Sequence, residues 1–136
     1  GMKILQFAFN PDASSDYLPH NLTDHAVLYT GTHDNDTIAA WFELASPDEV
    51  EFAVRYLGLS PAEGYVAGMM RAAATTVCDT VIYQVQDLLG LGDESRMNRP
   101  GTLEGNWEWR MLPGALTPLL AARMRELARM SGRLPD

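Results

Sequence analysis

Two stretches of this chain concentrate residues capable of chemistry. The first, Tyr29-Thr30-Gly31-Thr32-His33-Asp34-Asn35-Asp36-Thr37, packs one imidazole and two carboxylates into four positions. It lies past an apolar, strand-like run and before a helical pattern. Strand ends facing a helix are where α/β proteins collect active-site residues, so the placement suits catalysis. The same residues have a plainer reading. Asp36 or Thr37 could cap the following helix, and a His-Asp pair could orient the loop. A metal role is disfavoured, because the stretch lacks calcium-loop spacing.

The second stretch runs through Gln86-Asp87-Leu88-Leu89-Gly90-Leu91-Gly92, Arg96-Met97-Asn98-Arg99-Pro100-Gly101-Thr102 and Gly105-Asn106-Trp107-Glu108-Trp109-Arg110. Indole faces stack on the C–H side of pyranose rings, while amides and guanidinium groups take hydroxyls. Burial of Trp107 and Trp109 under their own loop is the equal alternative on composition alone.

These stretches need elements to hold them. Met2 to Phe9 has the length and apolar character of a buried strand. Residues 10 to 25 form a long irregular loop, and Ala26 to Thr30 a second strand ended by Gly31. Thr37 to Leu44 reads as a helix. Ser46-Pro47-Asp48-Glu49 combines a capping residue, a first-turn proline and acidic residues, and opens a helix to about Leu57. Ser60-Pro61-Ala62-Glu63 repeats the signal and predicts a helix through about Val77, with Val66, Met69, Met70 and Ala73 on one face. Thr80 to Val85 is a third strand. Residues 86 to 114, with five glycines and two prolines, form a second long loop. Thr117-Pro118 starts a last helix through Met130, stopped by Gly132. Strands alternating with helices predict parallel pairing. Three strands make a poor sheet alone, since each free edge invites another chain.

The bulk composition excludes several partners. With 136 residues, 46% hydrophobic and 21% charged, the chain is of ordinary globular type. A formal charge of −8 opposes binding to nucleic acid or to an anionic membrane surface. Cys78 is the single cysteine, so neither an intrachain disulfide nor a Cys-rich metal site can form, which fits a reducing compartment. No apolar run approaches the roughly 20 residues that span a bilayer. The expected location is cytoplasmic.

Taken in order, Lys3 to Phe9, Tyr17-Leu18-Pro19-His20-Asn21, Tyr29 to Thr37, Gln86 to Gly92, Arg96 to Thr102 and Gly105 to Arg110 resemble the closing motifs of the amylomaltases. These are 4-α-glucanotransferases, related to the α-amylases. Six ordered motifs from about residue 2 onward make the resemblance specific. It implies an α/β fold: the C-terminal portion, about strands six to eight with their helices, of a (β/α)8 TIM barrel. Residues 1–136 would then be one partial barrel with no separate second domain.

The activity implied is retaining transfer of α-1,4-glucan segments between maltodextrins, through a covalent glycosyl-enzyme and without cofactor or metal. Retention needs two carboxyl groups about 5 Å apart, a nucleophile and an acid/base. In the family both lie ahead of the stretch beginning at Met2, so the chain alone is expected to be inactive. Asp34 matches the remaining carboxylate, which holds the donor sugar. His33 matches a sugar-contacting histidine, Phe7 an aromatic near the cleavage point, and Asn106 an amide of the last loop; Trp107 is a further candidate contact. The loop from Asn10 to Asp16 departs from family spacing, so Asp12 receives no role. Exposed strand edges predict self-association. Two alternatives stay open: another retaining enzyme related to the α-amylases, and a stand-alone carbohydrate-binding or interaction module derived from a barrel fragment.

Overall fold

The sheet consists of three short parallel strands in the order β1 (Met2–Ile4), β2 (Val27–Tyr29) and β3 (Thr80–Ile82). The computed structural model describes residues 1–135. Register places Lys3 beside Leu28 and Leu28 beside Val81, with Ile4, Tyr29 and Ile82 aligned one residue further on. Side chains alternate across a strand, so Leu28 and Val81 face one side and Tyr29 and Ile82 the other. The first side is the core, where Leu28 is fully buried and Val81 packs with the helices. The second carries Met2 and Ile82 at 60% and 40% exposure. Parallel sheets normally have both faces covered. Here helices cover one.

Between β2 and β3 lie α1 (Ile38–Leu44), α2 (Pro47–Leu57) and α3 (Tyr65–Ala74). Their starts follow the capping chemistry expected of them. Thr37 accepts from the Ala40 amide at 3.2 Å, and Ser46 with Glu49 completes a capping box. After β3 come α4 (Val85–Leu88) and α5 (Pro118–Met130), the latter capped by Thr117. Phe9, Trp41, Leu57, Met69 and Ala73 build the core with Leu28, and the Phe9 and Trp41 rings stand 5.5 Å apart.

Four elements differ in extent from expectation. The first strand stops at Ile4, and Leu5–Phe9 winds into a 3-10 turn. An unbroken apolar run has no period to separate the two. In the turn, Leu5 pairs with Ala8 and Gln6 with Phe9 at three-residue spacing, all four buried, and Phe7 is left half exposed. The third strand ends at Ile82 rather than Val85, because Gln84 opens α4. The helix expected from Ser60 begins only at Tyr65. Ser60 does cap, accepting from Glu63, but the turn it starts is broken at Gly64, whose φ of 91° lies outside the helical region. That helix also ends at Ala74, short of Val77. β2 is one residue shorter at each end than the run 26–30.

Candidate active site

All three strands release their chains at the same end of the sheet. There the turn after β1 carries Phe7, the loop after β2 carries His33 and Asp34, and the segment after β3 runs through Asp87 towards Arg96 and Asn98. The loop 31–37 is fastened internally by Asn35, whose Oδ1 accepts from the Thr32 amide and hydroxyl, both at 2.8 Å. Gly31 lies close against the Gln6 side chain. A Cβ there would stand 2.4 Å from Gln6 Nε2, which donates to the Asp36 carbonyl at 2.7 Å.

Asp34 is the focus of the side-chain network. Asn98 Nδ2 donates to its Oδ1 at 2.7 Å, and His33 Nε2 stands 3.4 Å from the same oxygen. Arg96 braces the loop beneath. Its Nη2 donates to the Asp34 carbonyl at 2.6 Å, Nη1 to Asp36 Oδ1 at 2.8 Å, and Nε to the Asn98 carbonyl at 2.9 Å. The Asn98 amide returns a bond to the His33 carbonyl at 3.1 Å. Arg96 is only 15% exposed, whereas the side chains of His33 and Asp34 are 55% and 47% exposed. The brace is therefore covered and the pair it holds can be reached by a ligand.

Trp107 leans on His33, ring centroids 5.1 Å apart. Its backbone φ of 63° is left-handed, an unusual state for a bulky residue, and its amide is tied to the Met97 carbonyl at 2.6 Å. Two clefts of about 450 Å³ and about 560 Å³ meet at Phe7, Asp34 and Asn35. Trp41, Asp36 and Arg96 line the first; Tyr29, His33, Gln86 and Met97 line the second. An imidazole, a carboxylate with free capacity and exposed aromatic surface suit a polyhydroxylated ring.

Comparison with known proteins reads the same way. The family model described as 4-alpha-glucanotransferase matches residues 1–117. The chain belongs to the 4-alpha-glucanotransferase family. The enzyme of that name from Clostridium butyricum is 48% identical over 134 residues, covering 98% of this chain and 28% of its own length. That from Thermus thermophilus is 45% identical over 141 residues, with the same coverages. An amylomaltase from Streptococcus agalactiae, solved in complex with acarbose, superposes with a TM-score of 0.95 at 38% identity, over 99% of this chain and 28% of that one. The chain thus spans about a quarter of the length of the relatives it matches. A potato relative is named as chloroplastic/amyloplastic, so membership of the 4-alpha-glucanotransferase family does not set the compartment. No helix among the described residues is long and apolar enough to cross a membrane.

Of the residues singled out in the sequence, the fold gathers four. Phe7 and Asp34 share both clefts, His33 adjoins Asp34, and Trp107 adjoins His33. Asn106 is bonded within its own loop. Its Oδ1 accepts from the Arg99 amide at 2.8 Å and its Nδ2 donates to Thr102 Oγ1 at 2.9 Å, so the amide closes its own loop. Asp12 accepts from the Ser14 hydroxyl and amide, which also hold its carboxyl below the usual range. The helix-capping reading of the first cluster is answered in part: Thr37 caps α1, and Asp36 pairs with Arg96. Sequence reasoning assigned no role to Arg96, Asn98, Gln6 or Asp87. All four lay within quoted motifs, but their partners are 30 to 64 residues away.

Proposed function

We propose that this chain supplies the donor-sugar carboxylate of a 4-α-glucanotransferase, as strands six to eight of a (β/α)8 barrel formed with the remaining length seen in its relatives. The parallel sheet with one bare face supports the barrel reading, since the bare side would turn inward once further strands close the ring. The observation that carries the functional reading is the half-exposed Asp34 carboxylate, oriented by Asn98 and His33 where two clefts meet. Such a carboxylate would accept hydroxyl hydrogens of the donor ring and tighten on them as the ring flattens towards its oxocarbenium-like transition state. The substrates would be α-1,4-glucans. Phe7 and Trp107 would offer ring faces and His33 a further polar contact, while a nucleophile and an acid/base carried by the other strands would break and remake the glycosidic bond. Neither cofactor nor metal enters this scheme.

The test joins this chain to the preceding length of the Clostridium butyricum relative and follows disproportionation of maltotriose by chromatography. The joined protein should form longer and shorter maltodextrins; the chain alone should form none. Asp34→Asn should lower turnover by about 10²–10³, the usual cost of one preorganised transition-state partner, with little change in melting temperature. Parental turnover in Asp34→Asn would remove this assignment.

A further inference from the structure

The loop 31–37 begins after Thr30 and ends before Ile38, and one carboxylate binds both of those residues. Asp87 Oδ2 accepts from Thr30 Oγ1 at 3.1 Å, and Oδ1 accepts from the Ile38 amide at 2.8 Å. All three residues are deeply buried: Thr30 and Ile38 show no exposure and Asp87 2%. Asp87 comes from α4, the segment that follows β3, so the clamp joins the ends of two neighbouring strands across 49 and 57 residues of chain.

The clamp is chemically unusual. No ion pair reaches Asp87 among the described residues. Burial pushes its carboxyl above the ordinary aspartate range, and only the two hydrogen bonds counter that. Packing alone would be served better by an apolar side chain of similar size, since a buried charge without a countercharge is costly. What an apolar residue cannot do is bind a hydroxyl before the loop and an amide after it. Those bonds fix the separation of the loop ends, and with it the height at which His33 and Asp34 project. Arg96 and Gln6 hold the middle of the same loop through the Asp34 and Asp36 carbonyls. The loop is thus braced in its middle and clamped at both ends.

We propose that Asp87 is a positioning residue for the His33–Asp34 pair, acting through Thr30 and Ile38 without touching the sugar. The catalytic part of this inference rests on the glucan-transfer reading above. Asp87→Ala removes both bonds. Asp87→Asn can restore both, because its carbonyl accepts from the Ile38 amide while its NH2 donates to the Thr30 hydroxyl. Thr30→Val removes one.

Two measurements decide the matter. The first is amide hydrogen exchange by NMR on this chain. Asp87→Ala should speed exchange of Thr32, Asn35 and Ile38 by about tenfold or more while leaving α2 and α3 nearly unchanged, as local opening does. Thr30→Val should give a smaller rise in the same amides, and Asp87→Asn should return them close to the parent. The second is kinetics in the protein joined to its relative's preceding length. Asp87→Ala should lower kcat by about 10- to 100-fold, a cost typical of misplaced reacting groups, with KM within about twofold, and Asp87→Asn should recover most of the loss. Uniform acceleration of exchange along the chain would make Asp87 a general stabiliser and overturn the proposal. So would local loosening with unchanged kcat, or a deficit in Asp87→Asn equal to that in Asp87→Ala, which would assign the effect to charge. If the joined parent transfers no glucan, the functional reading fails by itself, and the exchange pattern still decides whether Asp87 clamps the loop.

Discussion

Replacing Arg96 by methionine keeps most of the apolar stem and deletes the guanidinium. Three hydrogen bonds go with it: to Asp36 Oδ1 at 2.8 Å, to the Asp34 carbonyl at 2.6 Å and to the Asn98 carbonyl at 2.9 Å. Hydrogen bonds to charged groups contribute about 1.5–3 kcal/mol each, but they share one donor group and do not add. Breaking a fully buried ion pair costs about 3–5 kcal/mol because it strands the surviving charge. The Asp36 side chain is 25% exposed, so water can take part of its lost partner's place. The expected loss is therefore about 2–4 kcal/mol, discounted from the buried case. For a chain of this size that corresponds to a fall of roughly 10 °C in Tm.

Arg96→Lys should recover less than half of the loss. A single ammonium keeps the charge but cannot present donors along three directions in one plane. Urea unfolding of parent and variants, read from the midpoint at constant slope, measures these differences. A loss below about 1 kcal/mol for Arg96→Met, the range of an exposed pair, would refute the reasoning, as would full recovery by lysine. The first result would mean that the loop is held by Asn35 and Gln6 and that Arg96 adds little; the second, that a positive charge beside Asp36 suffices and the planar donor set does not matter.

Further expectations follow from other parts of the molecule. The bare sheet face with Met2 and Ile82, together with the open edges of β1 and β3, should make this chain self-associate at micromolar concentration, and Ile82→Lys should weaken the association; a monodisperse parent monomer in light scattering would contradict this. Arg133 donates to the carbonyls of Ala74, Thr76 and Cys78 at 2.8, 3.1 and 2.9 Å, closing the end of α3; Arg133→Ala should cost about 1–3 kcal/mol in thermal unfolding, and an unchanged Tm would show that water replaces it freely. Burial lifts the Tyr83 phenol to about 12 despite the nearby Arg133 charge. A raised folded value favours the neutral phenol, so this contribution is complete below about pH 10 and is lost as pH rises through about 12. Phenolate absorbance of parent minus Tyr83→Phe should show that late titration; a midpoint near 10 would mean the ring is hydrated.

Much of the local structure could be read along the chain. Thr37, Ser46 with Glu49, and Thr117 mark helix starts because a cap binds an amide two or three residues away, within reach of sequence inspection. His33 and Asp34 stood out because imidazole and carboxylates crowd into one short loop. Strand lengths were less legible. The run from Leu5 to Phe9 is apolar whether it pairs or turns, and only packing against Trp41 and Leu28 selects the turn.

The residues that hold the site were beyond sequence reasoning for a different reason. Asn98 reaches Asp34 across 64 positions, Arg96 reaches Asp36 across 60, and Asp87 reaches Ile38 across 49. A hydrogen bond forms only within about 3 Å and a narrow range of angles, and spacing along the chain carries no information at that precision. Residue types and their local order establish which groups could do chemistry and where helices start. Which distant groups meet follows from the parallel register of β1, β2 and β3, because it alone brings the three strand ends, and the loops they release, to one edge of the sheet.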